Sequence, residues 1–321
     1  MTKYVIGRLI AAIPVVFVTA LTVFVLGHLL PGDPITFIVG ESQSAFSPEQ
    51  LAAIRQDYGL DQPIYMQFVI WLGKAVTGDF GRSFQSHQPV LSIIVPRMLP
   101  TAQIAIQTWI IATIVGIGVG MMSATAPNTW KDWFGTLGAL IGAAIPFFLT
   151  ASLLMFAFAL HLRWLPASGY VSIFVDPVAS LRSTLLPSLV LCLGLAAVIT
   201  RQTRSSLVEV LQQPYITTAR SKGLRERRVV QGHALKNALL PVLTILGFNV
   251  GHIFGGAVIT ETIFAIPGMG RLMVDSVSAR EYLVLQALVL IAGTTVVLAN
   301  LLVDLLYGVF DPRIRLVRSG G

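Results

Sequence analysis

The sequence predicts an all-α membrane protein with six transmembrane helices. Of its 321 residues, 55% are hydrophobic and only 12% are charged, against roughly 25% charged residues in a typical soluble domain. The mean hydropathy is +0.77, and six long stretches contain no Asp, Glu, Lys or Arg. These observations exclude an ordinary soluble enzyme and a disordered chain. The single cysteine excludes a disulfide scaffold and a multi-cysteine metal site.

The charge-free stretches define the predicted spans. They are 9–30, 98–124, 133–160, 185–200, 238–260 and 283–303. A bilayer core requires about 20 apolar residues per helix, and all the stretches but the fourth meet that length. The fourth does so when it is extended to residue 183 and Arg201 snorkels to the interface. The first stretch ends at His28–Pro31 rather than at small residues, so we interpret it as a retained helix and not a cleaved signal peptide.

The distribution of basic residues predicts the orientation. With the N-terminus inside, the inner segments hold 14 Lys and Arg and the outer segments hold 8, whereas acidic residues number 5 inside and 10 outside. Basic loops favour the cytoplasmic side, so both termini are predicted to be cytoplasmic. The net charge of +7 is thereby explained by topology, and no nucleic-acid partner is needed to account for it.

These spans predict the organisation of the chain. The segments are a cytoplasmic N-terminus (1–8), the first helix (9–30), a large extracytoplasmic segment (31–97), a core with the other five helices (98–310) and a cytoplasmic tail (311–321). The core contains a cytoplasmic loop, 201–237, with eight basic residues. In the outer segment, Ser47 and Pro48 predict the N-cap and first residue of a helix. A second amphipathic stretch follows Pro63, and its aromatic residues suit a membrane interface.

A short helix is predicted in the middle of loop 201–237. Pro214 suits the first helical position, where a missing N–H costs nothing. Arg220 and Lys222 suit the last turn, and Gly223 suits a left-handed cap. An isolated helix of about nine residues is marginal in water. It therefore needs a surface to pack against, supplied either by this chain or by another.

This helix and several other segments resemble one known family. Tyr215–Leu224 resembles the cytoplasmic loop of ABC importer permeases, in the version found in the dipeptide, oligopeptide and nickel permease family. Other segments that fit this family in order are Leu30–Pro34, Gly59–Pro63, Gly78–Gly81, Lys236–Pro241, Glu261–Phe264, Pro267–Leu272 and Asp311–Arg315. Thr217 and Thr218 stand where the general importer pattern has Glu and Ala, which agrees with the peptide branch.

The resemblance implies the architecture of a type I ABC importer permease in the bacterial inner membrane. Such a subunit forms a channel with a second homologous permease or a second copy of itself. Two ATPase subunits, which bind ATP and Mg²⁺, dock beneath it, and an extracytoplasmic binding protein delivers peptide. In this chain the only Gly-Lys pair is Gly73-Lys74, and Phe68 stands where a phosphate loop needs its first glycine. We therefore predict a transport subunit with no catalytic residue and no cofactor of its own.

Three groups of candidate functional residues follow. The ATPase-coupling group is Tyr215, Ile216, Ala219, Arg220, Lys222 and Gly223. The helix-packing or pathway group is Gly247, Asn249, Gly251, His252 and Gly255. The group predicted as an extracytoplasmic gate or receptor contact is Glu261, Pro267, Gly268 and Gly270. The coupling group is predicted because its apolar members share one helix face. The packing group is predicted because glycines four residues apart let helices approach in lipid. The gate or receptor group is predicted because a Pro-Gly break ends a helix there.

The alternatives to a peptide importer subunit are a metal site, a different cargo and a different class of transporter. The five His have no HExxH spacing and the lone Cys192 lies in an apolar span, so no metal site is predicted. A nickel or glutathione importer permease of the same family remains open, as does a proton-coupled secondary transporter. Against the secondary transporter, Asp304 near the end of the sixth span has no second intramembrane acid to which it could pass a proton.

Overall fold

The computed structural model describes residues 2–29, 47–57 and 60–310, and within these ranges the chain forms helices and loops without a β-strand. The first seven helices are α1 (Thr2–Leu29), α2 (Pro48–Asp57), α3 (Ile64–Val76), α4 (Val90–Thr125), α5 (Trp130–Ala144), α6 (Phe147–Leu154) and α7 (Pro177–Leu211). The following seven are α8 (Pro214–Ser221), α9 (Glu226–Arg228), α10 (Leu235–Ala238), α11 (Leu240–Phe248), α12 (Val250–Ile263), α13 (Met269–Ser278) and α14 (Tyr282–Phe310). Two π-helical segments, Met155–His161 and Val229–Ala234, continue α6 and join α9 to α10.

Some predicted features lie outside the described residues. They are the motif Leu30–Pro34, part of Gly59–Pro63, the closing motif Asp311–Arg315 with the predicted tail, and the side chain of Asp304.

Six spans arise only when two bent helix pairs are each counted as one. The long apolar segments are Ile6–Leu29, Val90–Thr125, Pro177–Leu211 and Tyr282–Val303. The bent pairs are 130–144 with 147–161, at 108°, and 226–238 with 240–247, at 46°. The third predicted span is therefore not one straight helix. Its break falls at Ile145, whose extended backbone (φ −76°, ψ 126°) precedes Pro146, because a residue before proline is disfavoured in the helical region.

The two helices predicted in the outer segment are present. α2 begins with a capping box in which Ser47 Oγ accepts a hydrogen bond from the Gln50 N–H (3.2 Å) and the Ser47 N–H donates to Gln50 Oε1 (2.8 Å). α3 begins directly after Pro63. It packs on the C-terminal part of α1 through Phe68, whose ring centroid lies 5.3 Å from that of Phe24.

The centre of the fold is the long contact between α4 and α7. Ile104 on α4 and Leu186 and Ile199 on α7 are fully buried there, together with parts of α11 and α12. A Cβ added at Gly116 of α4 would lie 2.6 Å from Ile199 Cβ. The two helices therefore approach as closely as a glycine allows, which is how helices pack in lipid.

The predicted glycine face of the fifth span contacts α14 over only part of its length. A Cβ at Gly247 would lie 2.7 Å from Val303 Cγ1, and one at Gly251 would lie 3.4 Å from Val296 Cγ1. A Cβ at Gly255 would meet nothing within 4 Å. Within this chain, Gly247 and Gly251 therefore lie beside α14, whereas Gly255 is exposed. A contact of Gly255 with the partner subunit stays a prediction.

Gly247→Leu is expected to destabilise the protein, since the leucine side chain must overlap Val303. Overpacking of this kind costs about 1–3 kcal/mol. The measurement is the Tm in mild detergent, which should fall by several degrees. Gly255→Leu is the matched control and should leave the Tm unchanged. Equal Tm values for the two variants would show that the contact between α11 and α14 is not as described.

Candidate functional site

The short helix of the segment 201–237 forms where the sequence predicts it. α8 begins at Pro214 and ends at Ser221. Gly223 follows with a positive φ of 75°, and its N–H donates to the Arg220 carbonyl at 2.9 Å. A positive φ is the conformation that glycine adopts without strain. The helix therefore has the predicted proline start and left-handed glycine end.

The apolar face of α8 is turned into its own chain. Ile216 is fully buried and Ala219 is buried. They pack in a cluster whose other buried members are Ala124, Leu207, Val229, Val230, Ala234 and Ala238. The sequence predicted that Ile216 and Ala219 are anchors for an ATPase. That prediction requires correction, because the surface that this marginal helix needs is supplied by α4, α7 and the segment after α9.

The opposite face of α8 is polar and exposed. Tyr215 is exposed, and its hydroxyl accepts a hydrogen bond from Asn237 Nδ2 at 2.9 Å. Arg220 forms an exposed ion pair with Glu226, with 2.6 Å between Nη2 and Oε1. These hydrogen bonds raise the pKa of Arg220 above its ordinary value, so the side chain stays cationic. Lys222 and Gly223 are exposed at the end of the helix.

An ion pair that sequence reasoning missed fixes the neighbouring helices. Asp132, in the first turn of α5, is buried, and Arg204 of α7 donates to both of its oxygens at 2.5 and 2.8 Å. The Asn128 N–H donates to the same carboxylate at 3.0 Å. Bidentate hydrogen bonds of this kind fix the relative orientation of the two side chains as well as their distance. A signal was available, because Asp132 is the acid next to the third apolar stretch.

At the other end of the fold, Glu261 is fully buried. Its carboxylate accepts hydrogen bonds from Thr101 Oγ1 at 2.6 Å and from the Arg271 N–H at 3.0 Å. Thr101 Oγ1 in turn accepts from the Met269 N–H at 2.8 Å. The N-cap residue of α13 is Gly268, which has no side chain, so Thr101 and Glu261 cap this helix from a distance.

The two glycines of this turn are required by close approach. A Cβ at Gly268 would overlap the Glu261 carboxylate, and one at Gly270 would lie 2.6 Å from Val258 Cα. Glu261, Gly268 and Gly270 are buried within this chain, so they present no surface to a receptor. Their alternative role as a gate stays a prediction. Only Pro267 of this group is exposed. The hydrogen bonds and close contacts of this group join α4, α12 and α13.

A third buried carboxylate joins the segment 83–85 to α14. Glu281, directly before α14, accepts hydrogen bonds from Ser83 Oγ at 2.7 Å, from the Gln85 N–H at 2.7 Å and from the Phe84 N–H at 3.2 Å. Sequence reasoning did not single out this residue, since its partners lie about 200 positions earlier in the chain.

Two polar residues of the fifth span, Asn249 and His252, belong to the predicted helix-packing or pathway group. Asn249 is half-buried and donates from Nδ2 to the carbonyl of Ile245 at 2.9 Å, one turn earlier in the same helix. His252 is exposed, and its ring centroid lies 5.8 Å from that of Phe147. Among the described residues, no group of three or more His, Cys, Asp or Glu could hold a metal ion.

Comparison with protein families decides what this arrangement belongs to. Residues 116–316 match the family described as "Binding-protein-dependent transport system inner membrane component", and residues 1–105 match the N-terminal region of such membrane components. The chain belongs to this family of ABC importer permeases. It is a multi-pass inner-membrane protein and a channel component of the importer, while ATP hydrolysis belongs to a separate chain.

Curated relatives and solved structures agree with this family. The chain is 41% identical over 315 residues to the glutathione transport system permease protein GsiC of Salmonella paratyphi A and of Escherichia coli K12. The match covers 98% of this chain and 99% of each relative. A structure described as an inward-facing conformation of the MetNI methionine ABC transporter is similar with a TM-score of 0.56 at 15% identity. It covers 69% of this permease and 97% of that chain, and it supports the fold alone.

Proposed function

We propose that this permease carries short peptides into the cell, with glutathione-like tripeptides among its candidate cargo. The observation that carries the proposal is the full-length similarity to glutathione transport permeases, at 41% identity. Glutathione is itself a small peptide, so this similarity and the Thr217-Thr218 variant of the cytoplasmic loop support the same class of cargo. We propose further that an extracytoplasmic binding protein delivers the peptide and that a second permease subunit completes the channel.

The coupling to ATP hydrolysis is proposed to run through the exposed face of α8. This face carries Tyr215, Arg220 and Lys222, which suit contacts at the rim of a groove on an ATPase subunit. The buried face, with Ile216 and Ala219, is packed against the cytoplasmic end of α7. Because packed interiors transmit displacement rather than absorb it, a movement of α8 would be passed to the helices at the centre of the permease. ATP and Mg²⁺ would bind the ATPase.

An uptake experiment tests the cargo. A strain that lacks this gene should lose uptake of labelled glutathione or of labelled di- and tripeptides, and a plasmid copy should restore it. Uptake of labelled nickel in the same strain should be unaffected. Loss of nickel uptake alone would reject the peptide proposal. The coupling proposal would be rejected if the permease restored uptake but no ATPase subunit co-purified with it.

Cysteine labelling tests the orientation, which we propose has both termini in the cytoplasm. Ser86 and Ser205 are both exposed, whereas the natural Cys192 is buried. Ser86→Cys is expected to react with an impermeant thiol reagent in spheroplasts. Ser205→Cys is expected to react only after lysis, because it lies at the end of α7 that belongs to the basic segment 201–237. The reverse pattern would invert the proposed topology.

A further inference from the structure

A cavity of about 330 Å³ lies between the outer end of α1, the amphipathic helix α3 and the start of α14. Its walls are formed largely by apolar side chains, including Val23, Ile70 and Leu283. Its volume is at the lower end of the range for sites that hold small ligands. No residue of the coupling helix α8 lines this space.

The cavity continues as a groove along α1. A second, more open hollow is lined by α1 from Pro14 onward, and it shares Val23, Leu26 and Val289 with the first. From Pro14 to His28, α1 rises about 21 Å. One leaflet of a bilayer has a hydrocarbon depth of about 15 Å, half of the core thickness. The groove is therefore long enough for an acyl chain that spans one leaflet.

Polarity is confined to one end of the groove. The first cavity is lined by Lys74 and Asp79, a cation and an anion, beside the hydrogen-bonded pair of His28 and Gln67. Along the second hollow, the only hydroxyls of the lining are those of Thr19 and Thr22. Both donate to carbonyls of their own helix at 2.8 Å. A polar, doubly charged mouth followed by an apolar channel matches the two parts of a zwitterionic phospholipid.

The walls of the enclosed part are largely apolar, and a flexible acyl chain can follow its shape. The aromatic residues of α3, among them Trp71 at the cavity wall, are of the kind that lies at the membrane interface. They place the polar mouth at the level of the head groups.

We propose that this groove is a phospholipid-binding site. It takes one acyl chain along α1 and α14, and it holds a zwitterionic head group such as phosphoethanolamine between Lys74 and Asp79. A bound lipid would fill the space between α1 and α3 and brace the outer segment against the last helix. The test measures bound lipid and not transport, so it does not depend on the identity of the cargo.

The test measures phospholipid retained by the purified transporter after extensive washing in mild detergent. Lipid is extracted and quantified by mass spectrometry for the wild type and two variants. Val289→Trp places an indole at the junction of the two hollows, and the retained phosphatidylethanolamine should fall roughly tenfold. Leu298→Trp is the matched control, because Leu298 lies on the same helix, is 55% exposed and lines neither hollow. It should retain lipid as the wild type does.

A second measurement uses the unaltered protein and so does not depend on the folding of a variant. Phosphatidylethanolamine with a diazirine on its acyl chain is reconstituted with the transporter and photolysed. Cross-links should concentrate on residues 14–28 of α1 and 283–289 of α14. Cross-links spread evenly over all lipid-facing helices, or equal lipid retention by Val289→Trp and Leu298→Trp, would overturn the site. Retention of an anionic phospholipid instead would overturn the head-group assignment.

Discussion

Glu261→Ala is expected to prevent the accumulation of a folded permease. The change removes the acceptor for Thr101 and for the Arg271 N–H in a place that solvent does not reach. Each buried group left without a partner costs about 1–3 kcal/mol, and α13 loses its cap from α12. The Arg271 N–H loses its acceptor, and Thr101 keeps only the longer bond to the Arg97 carbonyl at 3.3 Å. Such losses are a large part of the stability of many whole domains. The measurements are the amount of protein in the membrane and its Tm in detergent.

Two controls make this prediction specific. Glu261→Gln keeps one acceptor oxygen and nearly the same volume, so it should be clearly less harmful than the alanine variant. Thr262→Ala changes the exposed neighbour, whose hydroxyl bonds only to the Val258 carbonyl of its own helix, and should behave as wild type. If Glu261→Ala accumulates normally and loses only its response to the binding protein, then Glu261 is a receptor contact after all. Its buried hydrogen bonds would then not be essential for folding.

Gly223→Val is expected to separate ATP hydrolysis from transport. Gly223 has a φ of 75°, and a Cβ there would meet nothing within 4 Å. The cost of the substitution is therefore backbone strain alone, about 1–2 kcal/mol or more for a β-branched residue. The end of α8 relieves that strain by moving, which changes the surface offered to the ATPase. Peptide uptake and substrate-stimulated ATPase activity should each fall about tenfold or more, with normal membrane insertion.

The control at the same position is Gly223→Asn, because asparagine tolerates a positive φ far better than valine. It should retain most of the uptake activity. Ala219→Asp is less informative, since it would place a charge in the buried cluster beneath α8 and disturb folding as well as docking. Wild-type uptake by Gly223→Val would show that this loop enforces topology and does not couple the two subunits.

Local sequence signals were sufficient wherever neighbours in the chain determine the structure. The capping box at Ser47 and Gln50, the start of α3 after Pro63 and the ends of α8 at Pro214 and Gly223 all follow from residues within a few positions of each other. The charge-free stretches indicated the apolar helices for the same reason, since about 20 consecutive apolar residues are enough to specify a span.

Local sequence signals could not predict contacts between distant parts of the chain. Glu261 and Glu281 each stand at the end of an apolar stretch, where an acid usually faces water. Their burial is possible only because donors from Thr101 and from the segment 83–85 come to them in the folded chain. The sequence pattern therefore suggested an exposed gate where the fold has a buried link.

By itself, the sequence determined the class of the protein, its predicted sidedness and the motifs of its family, because these depend on composition and on short-range order. The tertiary structure alone decided which way each surface faces. Ile216 and Ala219 looked like an apolar docking face, and packing on α7 turned them inward. Gly255 looked equivalent to Gly247, but within this chain only Gly247 of the two has a neighbour on α14 within 4 Å of its Cβ position. A helical repeat shows which residues share a face, but only the neighbouring helices determine what that face contacts.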